Sequence, residues 1–60
     1  MPGLSHSELN SIREVVAAHQ TTANKLSDYA NQCQDSTIKQ MFTKAAQDAN
    51  KSAQNLIQML

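Results

Sequence analysis

Apolar residues recur along this chain at alternating steps of three and four, in two long rows that meet near Gln34. The first row is Leu9, Ile12, Val16, His19, Ala23, Leu26, Ala30 and Cys33. The second row is Ile38, Phe42, Ala45, Ala49, Ser52, Leu56 and Met59. A seven-residue repeat of this kind keeps one side of an α-helix facing a partner. The spacing therefore predicts two long helices, which together use almost all of the 60 residues.

Local signals place the ends of these helices. Ser5 and Glu8 have the spacing of a capping box, and Asp35 is a favourable N-cap for a second helix. We predict a first helix over about 5–33, a turn at about 32–35 and a second helix over about 36–59. Because so short a turn forces the helices to lie antiparallel, residues 1–60 are predicted to form one all-α helical hairpin domain.

Oligomerisation is the expected route to stability for so short a chain. Cys33 is the only cysteine, so an internal disulfide is impossible. The second helix also carries an additional apolar shoulder, which we predict to be free to pack against another chain. The shoulder consists of Met41, Ala46, Ala53, Ile57 and Leu60. Two hairpins would then form a homodimeric four-helix bundle.

The residues expected in the core or interface of this bundle are the larger members of the two rows, with alanines of the second helix. They are Leu9, Ile12, Val16, His19, Leu26, Tyr29, Phe42, Ala45, Ala49 and Leu56.

Charge argues against several classes of partner. Five basic and five acidic residues are interspersed and give no net charge. Such a chain has no basic stripe for nucleic acid and no polybasic face for anionic lipid. No apolar run approaches the length of a membrane span. Met1 is followed by Pro2 and Gly3 without the features of a signal peptide, so synthesis in the cytoplasm is expected.

The residues that could take part in catalysis or metal binding do not form a recognisable catalytic or cofactor site. A carboxylate di-metal site in a four-helix bundle needs glutamates on several helices, with histidine three residues after some of them. Here the only glutamates are Glu8 and Glu14, both in the first predicted helix. We therefore expect no catalytic residue, no bound metal and no cofactor.

Each of two side chains has two alternative roles. His19 is either a half-buried interface residue bonded to a polar neighbour, or one of a pair meeting across a two-fold axis as a proton switch or metal site. Cys33 is either a small buried hydrophobe or a thiol that crosslinks two chains.

The stretch from Tyr29 to Asp35, Tyr-Ala-Asn-Gln-Cys-Gln-Asp, followed by Ile38-Lys39-Gln40-Met41, resembles the spore coat F family of endospore-forming bacteria. The chain is similar to a divergent short member of that family. The resemblance implies a ferritin-like helical domain without a metal site, associated with the spore.

These observations lead to the expectation of a non-catalytic structural protein that acts through helix–helix self-association, with other spore proteins as further partners. One alternative is a helical adaptor that binds a helix of another protein. The other is a small metal or redox protein that uses His19 or Cys33.

Overall fold

Two helices form the whole of the described structure. The computed structural model describes residues 3–60, in which α1 runs over His6–Gln32 and α2 over Ser36–Ile57. The helices pack side by side, and no strand occurs within that range. The predicted two-helix hairpin is therefore confirmed. Met1 and Pro2, which enter the signal-peptide argument, lie outside the described residues.

Both helices begin with a side-chain cap. The Glu8 backbone N–H donates to the Ser5 hydroxyl at 3.1 Å, and the Ser5 backbone N–H donates to the Glu8 carboxylate at 3.0 Å. Hydrogen bonding of the Glu8 carboxylate to the Ser5 backbone N–H, and secondly to the Ser5 side chain, holds the pKa of Glu8 below its ordinary value. At α2, the Asp35 carboxylate accepts from the backbone N–H groups of Thr37 and Ile38, at 2.8 and 3.1 Å. The two caps satisfy N–H groups that a helix start otherwise leaves unpaired.

Replacing Asp35 with alanine is expected to lower the free energy of unfolding by about 1 kcal/mol, because two backbone donors lose their acceptor. The measurement is chemical denaturation followed by helicity. Asp28→Ala is the matched control, since Asp28 is exposed inside α1, where it does not cap a helix. Equal effects of the two substitutions would contradict the capping role of Asp35.

The interior of the hairpin is made of alanine. The buried hydrophobic residues are Ala23, Ala30, Ala46 and Ala53, the first and last only 2% exposed. Larger residues flank them and are half-buried: Leu9, Ile12, Val16, His19, Leu26, Phe42 and Leu56. Small side chains let the two helix backbones approach closely. The large apolar groups consequently lie at the margins of the helix contact rather than inside it.

The rotation of α2 differs from the sequence expectation. Ala46 and Ala53, expected on an outer shoulder, face α1 and are buried. Ile38, Ser52 and Met59 belong to the second row, which was expected to face α1 (the first and second rows are called the inner rows below), but they are exposed. The physical reason is close packing, since the helix turns its alanines toward the contact and its bulkier residues to the side. The helix also ends at Ile57, two residues earlier than expected.

Candidate interaction surface

A shallow apolar groove lies between the helices near the turn. It has a volume of about 310 Å³, and its lining is formed by Leu26 of α1 with Ile38, Met41, Phe42 and Ala45 of α2. Met41 is 67% exposed, the highest value among the large hydrophobic residues described. We call this the turn groove.

A second groove continues along the same side of the hairpin at its middle, with a volume of about 380 Å³. We call it the central groove. It shares Leu26 and Ala45 with the turn groove. Its other lining residues are small or polar: Ala18, His19, Thr22, Asp48, Ala49 and Ser52. The two grooves therefore form one continuous depression with an apolar end and a polar middle.

Val15 and Tyr29 extend this surface. Each comes directly before a residue of the first row, as Thr22 of the central groove does, so all three lie on the same side of α1. Val15 is 42% exposed and Tyr29 is 48% exposed. The Tyr29 ring contacts that of Phe42, with ring centres 5.7 Å apart and planes inclined by 51°. We call the lining residues of the two grooves, together with Val15 and Tyr29, the open face.

The other side of the hairpin is rich in side-chain amides, and Arg13 and Ile57 are also exposed there. Most of its exposed amides come directly after a buried or half-buried residue, which puts them opposite the open face. We call this side the amide face, and its amides are Asn10, Gln20, Asn24, Asn31, Gln40, Gln47, Asn50 and Gln54. The hairpin thus has two chemically different sides.

His19 has one ring nitrogen fixed by the fold. Its Nδ1 atom lies 2.9 Å from the carbonyl oxygen of Val15, one turn earlier in α1. Because a carbonyl oxygen only accepts, Nδ1 carries the proton in this bond. The neutral ring therefore keeps the free lone pair on Nε2.

Asp48 is the carboxylate that lines the central groove. It pairs with Lys44 one turn earlier, at 3.7 Å, and both side chains are largely exposed. An ion pair of this kind contributes little to stability and exchanges readily with other partners.

The remaining predicted residues are distributed along the helix contact. Leu9, Ile12, Val16 and Leu56 are half-buried toward the end of the hairpin away from the turn, and Cys33 is half-buried at the end of α1. His19, Leu26, Phe42, Ala45 and Ala49 come together in the grooves. Thr22, Asp48 and Ser52 were not among the predicted site residues, although their spacing from the inner rows places them on one side.

Comparison with protein-family models, curated proteins and solved structures finds no match to this chain. The likeness of residues 29–35 and 38–41 to the coat F family therefore rests on the sequence of those residues alone. Residues 3–60 contain no helix long and apolar enough to cross a membrane. Within one copy, the described residues also contain no group of three or more potential metal ligands.

Proposed function

We propose that this chain is a non-catalytic structural protein that assembles through its open face, with a second copy of the same chain as the partner. Two hairpins stacked on this face make a homodimeric four-helix bundle. The observation that carries the proposal is that four of the seven large exposed apolar residues among the described residues, Val15, Tyr29, Ile38 and Met41, lie on the open face.

The thickness of the hairpin supports a second layer. Its backbone measures 48 by 16 by 9 Å, which is one layer of helices. Stable domains bury their apolar surface between two packed layers. A single layer leaves one side of each half-buried residue toward solvent, and a second hairpin supplies the missing layer.

The broad face of the hairpin is about as large as the surface that one partner contributes to a stable protein–protein interface. The hairpin exposes 4702 Å², whereas a compact monomer of 6.6 kDa exposes about 3,900 Å². The elongated, one-layer shape accounts for this excess, and its broad face of 48 by 16 Å spans roughly 770 Å². Each partner of a standard stable interface contributes about 800 Å².

Charge supports self-association as well. The chain has no net charge, so two copies approach without long-range repulsion. Asp48 is the single charged residue among those that line the two grooves. The charge that a second copy covers within the grooves is therefore that of one Asp48 carboxylate per copy.

Association with the bacterial spore is proposed from the coat-F-like stretch at Tyr29–Asp35. A self-assembling helical block without an enzymatic task suits the structural role that this resemblance implies. The amide face remains available for contacts with other spore proteins once the open face is covered.

Sedimentation over a concentration series, with helicity followed in parallel, tests the proposal. We expect a dimer that loses helix as it dissociates, because the second layer supplies much of the apolar burial. A helical monomer at all concentrations would contradict self-association. It would favour the adaptor alternative, in which the open face receives a helix of a different protein.

A further inference from the structure

We propose that the dimer holds a divalent transition-metal ion where its two central grooves meet, with His19 and Asp48 of both copies as ligands. This inference rests on the proposed function, because one copy supplies only half of the ligands. It develops the metal-site alternative that the sequence leaves open for His19.

Symmetry brings the two central grooves together. The two-fold axis of a face-to-face pair lies between the faces, either along the helices or across them. When the two open faces overlap fully, a two-fold axis in either direction places the middle of one hairpin over the middle of the other. His19 is the midpoint of α1, which runs over His6–Gln32, and it lines the central groove with Asp48.

The His19 ring is oriented so that one of its nitrogens is free to bind a metal ion. Histidines that bind metals usually donate their other ring N–H to a carbonyl or carboxylate, which fixes the tautomer and orients the ring. The 2.9 Å bond from Nδ1 to the Val15 carbonyl is a contact of this kind, and it leaves Nε2 free to bind.

The ligand set fits the metal class. Two imidazole nitrogens and two carboxylate oxygens match the four-coordinate preference of zinc. The weak pair of Asp48 with Lys44, at 3.7 Å between largely exposed side chains, does not hold the carboxylate away from the metal. The small neighbours Ala18, Ala45 and Ala49 leave the grooves their depth, since a larger side chain would fill the space.

The test is calorimetric titration of the full chain with zinc ion alone, with sedimentation at each zinc concentration. We expect one zinc ion per two chains and a dimer that persists at lower protein concentration when zinc is present, since a ligand of the dimer stabilises it. Cobalt(II) in place of zinc should give the absorption spectrum of tetrahedral coordination.

Variants separate ligands from structure. His19→Gln and Asp48→Asn should abolish the zinc-dependent shift and the cobalt spectrum while helicity at equal protein concentration is retained. His6→Ala and Cys33→Ser are matched controls, because they remove the other strong metal-binding side chains described, and they should bind as the unaltered chain does.

The outcomes distinguish the two proposals. A dimer that binds no zinc, or binds it equally after His19→Gln or Asp48→Asn, would overturn the metal site and leave self-association intact. A chain that stays monomeric with and without zinc would overturn both.

Discussion

Replacing Ile38 and Met41 together with lysine is expected to convert the proposed dimer into a monomer. Both residues line the turn groove and are 47% and 67% exposed in one hairpin. A dimer loses four apolar side chains, and at about 1 kcal/mol for the partial burial of each, the dissociation constant rises roughly a thousandfold. Lysine also places charges on a surface that must lose water, which adds to the effect.

The matched control is Gln40→Lys with Gln47→Lys. These substitutions add the same charge to the same helix, but on the amide face, where both positions are exposed. The control should sediment as the unaltered chain does, and both variants should keep their helicity when folded. Unchanged association of the Ile38 and Met41 variant would exclude the open face as the dimer contact.

Ala46→Leu is expected to destabilise the hairpin by about 1–3 kcal/mol, because a larger side chain overpacks a closed contact. Ala46 is 4% exposed, so leucine has no room unless the helices move apart. A chain of this size has little stability to lose, so a marked loss of helix at moderate denaturant should follow. The measurement is the denaturation midpoint at fixed protein concentration.

Gln47→Leu is the control for that experiment. It introduces the same residue one position later, on the exposed amide face, with a comparable helix propensity. Its midpoint should stay near that of the unaltered chain. If both leucine variants unfold alike, the tight contact of α2 with α1 at Ala46 is wrong.

The sequence predicts the local features of the fold well. The caps at Ser5 and Asp35 depend on partners two or three residues away, so the local pattern alone indicates them. The inner row of α1 is similarly clear, since large apolar residues alternate with polar ones around that helix. Its half-buried and buried positions follow the predicted row from Leu9 to Cys33.

The rotation of α2 could not be predicted in the same way. Its apolar residues occupy adjoining rows, with Ala45 and Ala46 side by side and Ser52 and Ala53 side by side. Periodicity gives a wide apolar face and does not choose among these rows. The choice depends on how closely two backbones approach, which is a property of the pair of helices. The same ambiguity left Asp48 and Ser52 outside the predicted site.

The amide face has a consequence for how assembled units contact one another. In the proposed dimer, which is stacked on the open faces, one amide face points outward on each side. Every side-chain amide both donates and accepts hydrogen bonds, so such a surface meets a copy of itself favourably at many lateral offsets. A charged surface would require alternating signs to come into register. Units of this kind can tile into layers without a unique alignment, and dissolved salt has little charge attraction to screen.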